Sequence, residues 1–379
     1  MKTTGTVAPF AAGPIPSLDG LRAIAVTLVF MAHSGLEKLI PGGLGVTIFF
    51  VLSGYLITTL MRIEHQRSGR IDFSGFYLRR FLRLMPPLFI VIMLVALLSA
   101  LDMINGHFSS SGLLAALFYL GNYHIIFNDF HGMPAGMGVV WSLAIEEHYY
   151  LFFPPLALLL LRKNQPVWSI SLLGLLCAGV LAWRYVLAWQ GASADYLMMA
   201  TDTRVDAILV GSLMALVRNP WFAPLPTSQP TAKPMLTDWA TAGICLGILL
   251  LTVLYRNDVF RHTLRYSLQS LAIAGLIHLA VSHADQLPFR WLSARPLVYI
   301  GSISYTIYLS HHVILLGLAK HWPQLGWAGL TLLGAVLTLA VAEPMRRWVD
   351  QPCARWRQKL HRKPPAGTSP TVLMAVPGS

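Results

Sequence analysis

Charge is what this sequence has least of. Only 12% of its 379 residues are charged and 55% are hydrophobic, whereas about a quarter of an ordinary soluble domain is charged. With a mean hydropathy above zero, the composition excludes a water-soluble globular domain and puts the chain in a lipid bilayer. Acidic side chains are the scarcer sign, 16 against 28 Lys and Arg, for a net charge of +12. The basic residues stand in short groups between apolar runs, such as RRFLR at 79–83 and RRWVDQPCARWRQKLHRK at 346–363. Such grouping reports orientation across a membrane and no nucleic-acid partner is expected. Cysteine is nearly absent. Cys177, Cys245 and Cys353 have neither the number nor the spacing of a disulfide framework or a metal site, so no metal is expected. The first sixteen residues lack the charged-then-apolar order of a cleavable signal peptide, and the first apolar run is expected to insert uncleaved. No internal repeat is present.

Long apolar runs are abundant. They fall near 18–37, 43–62, 84–101, 139–161, 167–189, 203–218, 237–255, 266–284, 296–319 and 325–344, each close to the length that crosses a hydrocarbon layer of roughly 30 Å. The expected fold is therefore all-α and polytopic, with about ten transmembrane helices and both termini cytoplasmic, an arrangement that keeps most Lys and Arg on the inner side. Counting the polar-diluted run at 110–127 as an eleventh span would put the basic tail outside. Residues 102–138 are instead read as an external segment dipping into the protein. Residues 1–16 form a short N-terminal tail, 17–348 the membrane domain, and 349–379 a tail that is basic at first and then, after Lys363, lacks any helical pattern.

Against this background the ionisable residues inside spans are the informative ones. The first span, SLDGLRAIAVTLVFMAHSG, carries Arg22, ten uncharged residues, and then His33. At about 1.5 Å rise and 100° per residue they lie roughly 16 Å apart on nearly the same face. In VVWSLAIEEHYYLFFPP, Ser142, Glu146 and Tyr150 recur at i, i+4 and i+8, one helix face, while Glu147 points elsewhere. In YIGSISYTIYLSHHVILL, Ser304, Tyr308 and His311 share a face, with Tyr305 and His312 beside it. Three polar faces suggest one interior cavity; the plain structural reading makes the hydroxyls glue between helices. On FYLRRFLRLMPP, Arg80 and Arg83 share a helical face and suit a phosphorylated ligand, because guanidinium pairs well with phosphate. Arg79 reads better as an orientation charge.

Taken in order, SLDGLRAIAVTLVFMAHSG, FFVLSGYLI, FYLRRFLRLMPP, VVWSLAIEEHYYL, TRVDAILVGSLMA and SYTIYLSHH resemble the acyltransferase 3 family, membrane enzymes that O-acylate surface polysaccharides and related glycosides. The resemblance runs from about Ser17 to Trp348. It implies an acyl-CoA donor, most often acetyl-CoA, reached from the cytoplasm, a carbohydrate acceptor, and residence in a bacterial inner membrane. By that similarity the first-helix arginine and histidine fall on Arg22 and His33, the paired arginines on Arg80 and Arg83, and the Trp-Ser-Leu-x-x-Glu signature on Trp141, Ser142 and Glu146. His148 departs from the family's usual glutamine. Some members carry an extra hydrolase-like domain; this chain is expected to act without one, by direct transfer.

Joined to the geometry, the resemblance gives roles. Arg22, Arg80 and Arg83, with Trp141 and Ser142, are expected to hold the donor. His33 is the candidate general base and Glu146 the group that orients it. His311 is the rival base, and a covalent acyl intermediate on His33, Ser142 or a tyrosine is a further route. Arg204, Asp206, Tyr150, Ser304, Tyr308 and His311 are candidate acceptor contacts, although Arg204 and Asp206 read equally well as a helix-end ion pair. A transporter or flippase of a glycan-related substrate is the alternative, since it too carries His, Glu and Arg inside spans, often on broken helices in two matching halves. The sequence leaves oligomeric state, including a homodimer, open.

Overall fold

The computed structural model describes residues 15–105, 108–162, 166–217, 219–222 and 236–361. The short N-terminal tail up to residue 14 and the tail after Lys363 lie outside the described residues. Helices make up 84% of the structure, and no strand occurs among the described residues. In chain order they are α1 (Pro16–Met31), α2 (Gly42–Ser68), α3 (Phe73–Ala100), the short α4 (Ser110–Leu117) and α5 (Gly121–Asn128), α6 (Val140–Arg162), α7 (Pro166–Trp189), α8 (Ala194–Met199), α9 (Thr201–Arg204), α10 (Asp206–Val217), α11 (Leu236–Leu254), α12 (Asp258–His262), α13 (Leu264–Ser282), α14 (Arg295–Ser302), α15 (Ser304–His321), α16 (Trp327–Met345) and α17 (Gln351–His361).

Six helices are long and apolar enough to cross a membrane: α2, α3, α7, α11, α13 and the one that starts at Trp327. A seventh is obtained if α14 and α15, bent by 72° at Ile303, form one broken span. The protein is thus an all-helical, multi-pass membrane protein in which fewer helices meet that standard than the ten apolar runs suggested. The difference has local causes. α1 gives way after Met31 to a π-helical turn, Ala32–Leu36. α6 is diluted by Glu146, Glu147 and His148, and α10 is only 12 residues long because Thr201–Arg204 forms a separate turn. The segment read as dipping in from outside contains α4 and α5, each of 8 residues, about 12 Å long and unable to span.

Helix α2 is the hub. Its most apolar stretch is 72% buried, against 11% for α7 and 17% for α11, which form the periphery. α2 packs along α10 on one side and α1 on another. Small residues allow the closest of these approaches. A Cβ on Gly54 would strike the Ile208 carbonyl, and one on Gly211 would strike the Val51 carbonyl, the backbone-to-backbone packing that membrane helices favour in the absence of a hydrophobic driving force. α3 starts on a cap: Asp72 Oδ1 accepts the Gly75 N–H at 3.0 Å, which holds the Asp72 carboxyl below its ordinary range. The helix so begun then carries Arg80, half-buried, and Arg83, exposed, along the cavity described below.

Candidate active site

A cavity of ≈ 170 Å³ opens between α1, α2, α3, α6 and α15. Arg22, Arg80 and Arg83 line one end. Glu146, Tyr150 and Ser142 come from α6, and Ser304, Tyr305 and Tyr308 from the first turns of α15, just past the break at Ile303. The apolar wall is supplied largely by α2, including Phe49 and Leu52, and Ser53 adds a hydroxyl.

At the arginine end, Arg22 pairs with Asp19 one turn back at 2.6 Å. Arg80 lies over the Tyr150 ring, 3.5 Å from its centroid, a cation–π contact that keeps the guanidinium in place without consuming all its donors. Its Nε is buried without a hydrogen-bond partner. Arg83 makes no hydrogen bond or ion pair among the described residues. Arg79, read as an orientation charge, lies instead near Glu64 and Asp72, at 3.8 and 3.9 Å.

Further along α6, the Tyr150 hydroxyl donates to Glu146 Oε2 at 2.9 Å. One turn back, Ser142 Oγ lies 2.7 Å from the Tyr308 hydroxyl, which donates to the Val139 carbonyl at 3.0 Å. Ser304 lines the cavity and its hydroxyl has no hydrogen bond among the described residues.

Beyond Tyr308 comes a histidine cluster. The His311 ring centroid is 5.7 Å from that of Tyr308, and His33 is stacked on His312 at 4.6 Å. His33 sits in the π-helical turn that ends α1, an irregularity frequent at functional sites. The sequence HSG builds that turn. Gly35 takes φ 99°, a left-handed value suited to glycine, and Ser34 Oγ bonds Thr331 Oγ1 of α16 at 2.8 Å, leaving His33 to face α15. His33 Nδ1 lies 3.0 Å from His311 Nε2, and His311 Nδ1 lies 3.0 Å from the Ile307 carbonyl. A carbonyl only accepts, so neutral His311 carries its proton on Nδ1 and offers Nε2 as an acceptor. His33 must then donate from Nδ1, and its Nε2, on an exposed ring, makes no hydrogen bond among the described residues.

This corrects the pairing expected from the sequence. The group behind His33 is His311, not Glu146, because the α6 register sets Ser142 beside Tyr308 and carries Glu146 a full turn on, toward the arginines. Trp141 does not line the cavity; it packs edge-on against Phe50, with centroids 6.3 Å apart. Arg204 and Asp206 are also elsewhere, each only 1% exposed. Arg204 lies over Tyr266 at 3.8 Å and reaches Thr47 Oγ1 at 3.2 Å. Asp206 pairs with Arg184 at 2.7 Å and accepts from the Ser267 hydroxyl. His148 Nδ1 lies 2.7 Å from Thr201 Oγ1, so this departure from the family pattern ties α6 to α9.

Arg184 was not singled out from the sequence, yet the signal was there, as a lone charge in the apolar helix LAWRYVLAW. Removing one partner of a buried ion pair strands the other charge. Arg184→Leu is therefore expected to cost about 3–5 kcal/mol, seen as a lowered thermal unfolding temperature in detergent, while Arg184→Leu with Asp206→Leu should recover much of the loss. No group of His, Cys, Asp and Glu among the described residues is placed to hold a metal ion.

An arginine end, a polar wall and a neighbouring pair of histidines therefore meet inside an all-helical membrane protein. Residues 15–343 match the acyltransferase domain family, acyltransferase 3, and the chain belongs to it. It is 32% identical over 358 residues to the peptidoglycan O-acetyltransferase OatA of Listeria monocytogenes, an alignment covering 89% of this chain and 55% of that protein. With the O-acetyltransferase OatA of Staphylococcus aureus it shares 30% over 355 residues, 89% of this chain and 57% of the other. A putative peptidoglycan O-acetyltransferase of Bacillus subtilis, YrhL, is 30% identical over 353 residues, 89% and 54% respectively. The chain thus spans about half the length of these curated relatives. No solved structure matches it.

Proposed function

We propose that this protein moves an acetyl group from acetyl-CoA, or another short acyl-CoA, to a hydroxyl of a cell-surface carbohydrate, a peptidoglycan-type glycan being the acceptor suggested by the named relatives. The observation that carries the reading is the cavity lined by Arg22, Arg80, Arg83, Glu146, Ser142 and Tyr308, with the His33–His311 pair packed just beyond Tyr308. Arginines at one end suit the phosphates of the donor. The roughly 16 Å that separates Arg22 from His33 along the helix suits the extended arm that carries the thioester.

In this reading His33 Nε2 takes the proton of the acceptor hydroxyl as its oxygen attacks the thioester carbonyl carbon. The new C–O ester bond forms, the C–S bond breaks, and His33 returns its proton to the departing thiolate, which leaves as the free thiol. His311 fixes the tautomer and aim of His33, a role like that of the orienting partner in other histidine-based sites. Tyr150 and Glu146 brace Arg80, and Ser142, Ser304 and Tyr308 offer hydroxyls to the reacting groups.

The second reading, a transporter, is favoured by one feature, the 72° break between α14 and α15, since discontinuous helices line transporter sites. Purified protein in vesicles, given radiolabelled acetyl-CoA and glycan fragments, separates the two. Base-labile label on the glycan supports the transferase, whereas glycan movement without ester formation supports the transporter.

In this reading both termini and the basic segment 62–83, which joins the end of α2 to the start of α3, lie on the cytoplasmic side of a bacterial inner membrane. Single cysteines replacing Ser68 and Lys359, in a background without Cys177, Cys245 and Cys353, are expected to resist impermeant thiol reagents in intact spheroplasts and to react after lysis. Labelling of both from outside would invert the arrangement.

A further inference from the structure

The motif FFVLSGYLI lies in α2 and opens with two rings in different surroundings. Phe50, fully buried, packs edge-on against Trp141 of α6. Phe49, about 100° round the helix, lines the cavity and is half-buried. Its ring meets that of Tyr308 edge to face, with centroids 6.1 Å apart and planes at 74°. On its other side Tyr308 meets His311, the partner of His33, at 5.7 Å. The level of Phe49 along the cavity follows from these contacts. Tyr308 is bonded to Ser142, and Tyr150, under the Arg80 guanidinium, lies eight residues further along the same α6 face, about 12 Å away. Phe49 therefore stands at the end of the cavity away from Arg80 and nearest the histidines.

We infer that this end is the pocket for the acyl group of the donor, and that Phe49 limits that group to acetyl or one of similar length. The inference rests on the donor being an acyl-CoA, as proposed above, and names what selects among such donors. Around Phe49 the lining is apolar: Val46 is one turn away on α2, and Leu143 follows Ser142 on α6. Val46, Leu143 and Tyr308 are 5%, 9% and 5% exposed, so protein backs this wall. Tyr308 is held twice, by Ser142 Oγ at 2.7 Å and by the Val139 carbonyl at 3.0 Å, and swings aside only if both bonds break. Phe49 is the largest wholly apolar side chain in the lining. A methyl group set against its ring leaves the adjoining thioester carbonyl beside the hydroxyls of Ser142 and Tyr308. Each further methylene has to displace a ring packed among buried neighbours, which costs energy that a short acyl group does not spend.

Transfer from acetyl-CoA and from butyryl-CoA to glycan fragments, by the full-length protein in vesicles, tests the assignment. Wild-type kcat/KM should favour acetyl-CoA by about tenfold or more, the discrimination an apolar pocket gives against added methylenes. Phe49→Ala should shrink that preference by about tenfold or more, chiefly by gaining butyryl transfer, and Phe49→Leu should shrink it less. The ratio of the two donors is the decisive reading, because a ring kept only for packing would lower stability and slow both donors alike. Phe89→Ala makes the same deletion at an exposed position of α3 and should leave the preference unchanged. An unchanged ratio in well-folded Phe49→Ala, or in Phe49→Leu where the alanine variant does not fold, overturns the inference, as does an equal shift in Phe89→Ala or a wild-type protein indifferent to chain length. Failure of the wild-type protein to transfer from either donor would remove the acyl-CoA reading and this inference with it, a result distinguishable from an unaltered preference between two working donors.

Discussion

His33→Gln is expected to give a folded protein that binds the donor normally and transfers about a hundredfold to ten-thousandfold more slowly, the usual cost of removing a general base. Glutamine can still donate to His311 Nε2 from its amide, so the hydrogen bond across α1 and α15 and the π-helical turn around it survive. What it lacks is the second ring nitrogen, whose lone pair faces away from His311. A histidine kept only for packing would show the opposite pattern, with stability lowered and turnover of the surviving folded protein intact. His311→Ala provides the comparison. It leaves the base in place but releases its tautomer and aim, so residual transfer should persist and its pH profile should still follow a single imidazole. Near-wild-type turnover in His33→Gln, beside none in an equally stable His311→Ala, would make His311 the base.

The second large effect belongs to the donor. Arg80→Ala and Arg83→Ala should each weaken acetyl-CoA binding by about 1.5–3 kcal/mol, the range for hydrogen bonds to a charged group. The effect should appear in KM with kcat little altered. Arg83→Ala is the cleaner variant because Arg83 makes no hydrogen bond or ion pair among the described residues. Arg80→Ala also uncovers the Tyr150 ring and leaves Glu146 and Glu147 with Arg83 as their remaining cation, so part of its loss should appear as lowered thermal stability. Wild-type KM for acetyl-CoA in both variants would remove the arginines from the donor site.

Much of this cavity was legible beforehand. Helical periodicity alone put Ser142, Glu146 and Tyr150 on one face and Ser304 and Tyr308 on another, and the structure brings those faces together with Arg22, Arg80 and Arg83. Helix-to-helix register was not legible. Whether His33 meets Glu146 or His311 depends on an offset of one turn, about 5 Å, between helices whose polar faces look alike in sequence. Arg204 and Asp206 were misplaced for a related reason. Their partners, Tyr266 and Arg184, come from α13 and α7, and a buried ion pair between distant helices leaves only two isolated charges in the sequence. The break at Ile303 and the π-helical turn at His33 are backbone departures inside unbroken apolar runs, so hydropathy reads straight through them. α17 was read only as the basic start of a tail, because a helix held by α3 and by the turn before it needs little apolar patterning of its own.

Sealed vesicles put the central claim to its most direct test. Radiolabelled acetyl-CoA is enclosed with the arginine end of the cavity facing the lumen, and a peptidoglycan-type glycan is supplied outside. Wild-type protein should deposit base-labile acetyl ester on the external glycan while free CoA accumulates within, and His33→Gln, equally well reconstituted, should do neither. Ester formation undiminished in His33→Gln, or glycan crossing the membrane unmodified in both, would contradict the account.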